Sequence, residues 1–126
     1  MTTPETLAVV RRYHEGWTSR NYEQAIELLA PTLSVEVPIN EYPTSGSFAR
    51  ALCGFGELVS GVELLSAMSD GDEAMLLYDL QVERLGPLRV VEHFTVAHGR
   101  IVRLRQIHDT APVRAWLAAA DPLSQR

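Results

Sequence analysis

The chain has one cysteine, Cys53, so neither an internal disulfide nor a multi-cysteine metal site can form within it. No apolar run approaches the roughly 18 residues that cross a membrane. The opening residues, Met1-Thr2-Thr3-Pro4-Glu5-Thr6, lack the basic-then-apolar pattern of a secretion leader. A cytoplasmic protein without membrane attachment is therefore expected. Positive charge is in deficit, with 11 basic against 16 acidic residues and a net charge of −5. Such a chain has no basic field to hold a phosphate backbone, which argues against nucleic acid as a partner. The four histidines are scattered without ligand spacing, so no metal is expected, and nothing calls for another cofactor.

What the chain does contain is patterned apolar sequence. At 126 residues, 46% hydrophobic and 21% charged, it has the makings of one domain, 1–126, with a core over about 5–110 and a tail at 112–126. Thr3 as N-cap, Pro4 in the first turn and the stripe Leu7, Val10, Tyr13 or His14, and Trp17 predict a helix to about Thr18. Asn21 with Gln24 three residues on predicts a second helix, carried by Ala25, Ile26, Leu28 and Leu29 and stopped by Pro31. Leu33, Val35 and Val37 alternate as a short strand ending at Pro38. After a loop from Ile39 to Ser47, the spacing of Phe48, Leu52, Phe55 and Val59 predicts a third helix. Gly54 and Gly56 weaken it by roughly 1 kcal/mol each.

From Val62 the pattern turns to strands: Val62–Met68, Glu73–Glu83, Leu88–Ala97 and Arg100–Asp109. Asp70-Gly71-Asp72, Leu85-Gly86-Pro87 and His98-Gly99 separate them with turn chemistry, so antiparallel hairpins are expected. Beyond Pro112, the residues Val113, Trp116, Leu117 and Ala120 predict a short final helix. The fold class is α+β: a cone-shaped, curved antiparallel sheet with three N-terminal helices on its concave side, a cystatin-like α+β barrel. The hollow of such a cone is where a ligand would sit.

The polar residues on the inward faces give the functional clue. Glu92 lies between Val90 and Phe94, and Gln106 and His108 share parity with Val102 and Leu104. Unpaired, such groups would cost kilocalories in a solid core, so they point to a lined cavity. A buried Glu92 would have its pKa raised and could donate a hydrogen bond or shuttle a proton. The plainer reading of Glu92 is a solvated or inter-subunit ion pair, and that of His108 a satisfied structural imidazole. Tyr13 is read either as a pocket hydroxyl or as a core aromatic. Asp79 interrupts Ala74-Met75-Leu76-Leu77-Tyr78, and is either an acid/base group or a solvated residue of the outer face. Trp17, Val37, Phe55, Phe94, Leu104 and Gln106 are the expected ligand contacts. Arg103 and Arg105 alternate to the other face, His14 is expected at the surface and His98 in a turn. Val91, His93, Thr95, Ala97, Ile107 and Tyr78 are candidates for a homodimer patch on the sheet's outer face.

Two blocks carry a resemblance to a known family. They are Arg12-Tyr13 through Asn21-Tyr22 to Leu28-Leu29-Ala30 with Val35-Glu36-Val37-Pro38, and Glu92-His93-Phe94-Thr95-Val96 through His98-Gly99-Arg100-Ile101-Val102 to His108-Asp109. From about Leu7 to Asp109 the chain resembles the nuclear transport factor two-like superfamily, which includes ketosteroid isomerase, the SnoaL-like cyclases and limonene epoxide hydrolase. The resemblance implies the cone fold. It puts Tyr13 at the oxyanion-hole tyrosine of the isomerase, and Glu92 at its protonated aspartic acid. It puts Val37 at the general base, where valine cannot move a proton, and Gln106 where the hydrolase would have an aspartate. Two functions follow as expectations. One is a cofactor-free isomerase, cyclase or lyase acting on a small hydrophobic, carbonyl-bearing or cyclic molecule through Tyr13, Glu92, His108 and Asp79. The other is a non-catalytic ligand-binding or dimeric interaction module.

Overall fold

The computed structural model describes residues 2–120, with Ala120 as backbone only. Helix α1 spans Thr3–Thr18 and is capped one residue earlier than expected, by Thr2. Its hydroxyl accepts from the Glu5 amide while the Glu5 carboxylate accepts from the Thr2 amide. This reciprocal bonding satisfies two donors that a helix start otherwise leaves open. The inward stripe of α1 is Thr6, Val10, Tyr13, His14 and Trp17. Helix α2, Tyr22–Glu27, packs close to α1 because Gly16 has no side chain; a Cβ there would lie 3.0 Å from the Ala25 nitrogen.

Strand β1 runs over Leu29–Glu36 and includes Pro31, which does not end α2 as expected. β1 is an edge strand, where a missing amide is tolerated, and its register with its neighbour is broken between Leu29 and Ser34. Helix α3 spans Ser45–Gly56, capped by Thr44 with Ser47, and Val59 belongs to the next strand rather than to the helix. Strands β2 (Val59–Asp70), β3 (Glu73–Val82), β4 (Gly86–Ala97) and β5 (Arg100–His108) form the expected antiparallel meander, and α4 covers Ala111–Ala120. His98 and Gly99 take positive φ values of 53° and 76°, the backbone of a two-residue hairpin turn.

The sheet order is β1-β5-β4-β3-β2, with β1 parallel to β5. It is curved and unclosed, and register breaks at Leu64/Ser66 and Thr95/Val96 add local bending. The second break also brings Ile101, rather than Val102, to the core side. α1 crosses the inner face and touches β2, β3, β4 and β5. Val10, Leu76, Phe94, Val96, Ile101 and Leu104 fill the space between them.

Candidate functional site

The inner face of β3, β4 and β5 alternates apolar residues with a small polar group. Leu88, Val90, Glu92, Phe94 and Val96 all point inward from β4, and Ala74, Leu76, Tyr78, Leu80 and Val82 from β3. Glu92 is fully buried. The Tyr78 hydroxyl donates to its Oε1 at 2.8 Å and the Gln106 amide donates to its Oε2 at 2.7 Å. Burial pushes the Glu92 carboxyl from 4.5 up to about 7, while these two donors hold it down. Near neutral pH this carboxyl is therefore shared between its two protonation states. Tyr78 and Tyr13 are raised well above 10, first by burial and then by the Glu92 charge, so both phenols stay protonated.

Above this network lies a cavity of about 190 Å³. Tyr78, Val90, Gln106 and His108 line it from the sheet, Trp17 from α1, Phe48, Leu52 and Phe55 from α3, and Val113, Trp116 and Leu117 from α4. Val37, Pro38, Asn40 and Tyr42 close one side. His108 Nδ1 lies 3.0 Å from the Asp109 carbonyl oxygen, which can only accept. In the neutral ring this contact places the hydrogen on Nδ1 and the lone pair on Nε2.

Of the residues named from sequence, Trp17, Val37, Phe55, Gln106 and His108 line the cavity. Glu92 stands behind its wall and reaches it only through Tyr78 and Gln106. Tyr13 is also fully buried behind the wall. Its ring edge rests on Phe94 with centroids 5.8 Å apart, and its hydroxyl bonds to no side chain among the described residues. Phe94 and Leu104 are corrected from ligand contacts to solid core, with no exposure at all. Asp79 is corrected too. It lies on the outer face, where Arg89 Nε and Nη2 donate to its two oxygens at 2.7 and 2.9 Å and hold its carboxyl below the usual value.

Two residues were missed. Tyr78, placed on the outer face by its sequence, is the inward hydroxyl that links Glu92 to the cavity. His14, expected at the surface, is buried, with its ring 4.7 Å from Tyr78 and 5.9 Å from Trp17. Neither ring nitrogen has a hydrogen-bond partner among the described residues, and burial lowers its pKa to about 4. No three potential metal-ligating side chains gather among the described residues, and no helix there is long and apolar enough to cross a membrane.

Residues 10–104 match the SnoaL-like domain family. The chain belongs to that family. Its cone is the nuclear transport factor two-like fold. A Kribbella flavida protein is 30% identical, superposes with a TM-score of 0.84, and is matched over 91% of this chain and 95% of its own. A second Kribbella flavida protein, provisionally named a ketosteroid isomerase, is 24% identical with a TM-score of 0.72, over 86% and 81% of the two chains. An LEH-like epoxide hydrolase from M. tuberculosis is 19% identical with a TM-score of 0.73, over 93% and 92%. The last two likenesses are of fold alone. No functionally curated protein matches the chain.

Proposed function

We propose that this SnoaL-like domain binds a small, mostly apolar molecule carrying a carbonyl or ring oxygen, and moves a proton on it without a cofactor. The reaction class would be that of an isomerase, cyclase or lyase. The observation that carries this reading is the Tyr78–Glu92–Gln106 network, which brings a shareable proton to the wall of an apolar cavity. When Glu92 is protonated, its hydroxyl can donate to the Tyr78 oxygen and free the phenol hydrogen for a ligand oxygen. That arrangement stabilises negative charge developing on the ligand. His108 Nε2 supplies the base. The names of two fold relatives, a ketosteroid isomerase and an epoxide hydrolase, are in keeping with an enzyme but do not assign its substrate.

The test is a panel of enones and polyketide-like esters assayed with wild type, Tyr78→Phe and His108→Ala. On any substrate that turns over, each variant should lose about a hundredfold in kcat. Rates that stay unchanged in both would remove the proposal. A second reading, binding without turnover, is favoured by Val37, an inert residue lining the cavity next to Pro38. Ligand binding in the absence of any turnover would select it.

The protein is further read as a cytoplasmic homodimer joined through the outer sheet face. Ile107 there is 70% exposed beside Val91, and Leu77 and Met75 continue the apolar strip. Tyr78, counted with this patch from sequence, faces the cavity instead. Light scattering should give twice the 14.0 kDa chain mass, and Ile107→Asp should return it to the monomer value. A wild-type monomer at high concentration would reject the interface.

A further inference from the structure

We infer that the cavity sorts ligands by charge, preferring a basic nitrogen over a neutral isostere and turning away carboxylates and phosphates. This rests on the cavity being a ligand site and adds the class of ligand it takes. The chain has no lysine, and no arginine lines the cavity among the described residues. Arg89 is held by Asp79, Arg20 lies against Glu57 and Arg105 against Glu36, all away from it. Among the described lining residues the ionisable groups of acid or base character are Glu83, exposed at the rim, and the His108 imidazole. Behind the wall stands a second carboxyl, Glu92. An anionic ligand would lose its water, meet no lysine or arginine and only the His108 imidazole as a basic group, and approach two acids; such desolvation is poorly repaid.

A cation meets the opposite. Trp17 has ring centroids 6.2 Å from both Phe55 and Tyr78, and Tyr42 and Trp116 add further aromatic surface. The negative faces of such rings attract ammonium groups, most strongly where water is excluded. The site thus offers an apolar, π-rich enclosure with one acid on its rim, another behind its wall, and no lysine or arginine among the described lining residues.

Isothermal titration with three matched probes tests this: 2-naphthylmethylamine, 2-naphthylmethanol and 2-naphthylacetate. The amine should bind about tenfold tighter than the alcohol, and the acetate about a hundredfold weaker. Charge reversal at the exposed rim, Glu83→Arg, should narrow the amine-to-acetate ratio by about tenfold. An unchanged ratio in that variant overturns the role given to the rim. Equal binding of all three probes overturns the selectivity but leaves the cavity a ligand site. If none binds, and none alters Trp17 or Trp116 fluorescence, the site and its selectivity fall together.

Discussion

A Glu92→Gln variant should gain stability over the wild-type protein by about 3 kcal/mol as pH rises from 4 to 8. The folded-state carboxyl titrates at about 7 against an ordinary 4.5, chiefly because it is buried. A raised acid contributes stability that is complete below the unfolded value and is lost as pH climbs through the folded one. The relevant window is therefore about 4.5 to 7. Glutamine removes the ionisation but preserves the bonding: its carbonyl accepts from Tyr78, and Gln106 needs only to turn its amide. Urea unfolding at pH 4, 6 and 8 reads the difference directly. Parallel curves for the two proteins would show that Glu92 is solvated and that the buried network does not persist in solution.

His14→Phe should remove a loss of about 3 kcal/mol that the wild-type protein suffers on acidification from pH 7 to pH 4. His14 titrates near 4 when folded, against an ordinary 6.5, because burial disfavours its cation. For a lowered histidine the sign is the reverse of Glu92: stability is present above the unfolded value and is lost as pH falls through the folded one. Phenylalanine keeps the ring against Tyr78 and Trp17 and removes two nitrogens that have no partner among the described residues. Between about pH 5 and 6 the two wild-type effects oppose each other, so its stability should be nearly flat there. Glu92→Gln should expose the acid-side slope and His14→Phe the opposite one. A His14→Phe protein with the acid sensitivity of wild type would place the imidazole in water.

These residues also mark where the sequence was readable. Val90-Val91-Glu92-His93-Phe94 alternates cleanly, so the inward position of Glu92 followed from parity, and the turn residues set the meander. Along β3 the run Ala74-Met75-Leu76-Leu77-Tyr78 is apolar on both parities, so periodicity could not say which face was inside. The pairing could have said so. Asp79 lies opposite Arg89 in the register, and a charge pair across two strands marks the wet face, which turns Tyr78 inward. His14 was missed for a related reason. A helix stripe allows either Tyr13 or His14 beneath Val10 and above Trp17, and α1 buries both because helix and sheet enclose it broadly. Pro31 shows the reverse problem: a helix stop by composition was a tolerated strand residue once β1 lay at the edge.

The position of α4 has a kinetic consequence. It supplies Val113, Trp116 and Leu117 to the cavity yet makes only sparse backbone contacts with the helices and strands that build the cone. Its detachment disturbs none of the strand pairing, so the mouth can breathe at a small fraction of the global unfolding free energy. For a guest of the proposed kind, exchange would then require only one short segment to swing while the sheet stays paired, and amide protons of α4 should trade with deuterium long before those of β3 and β4.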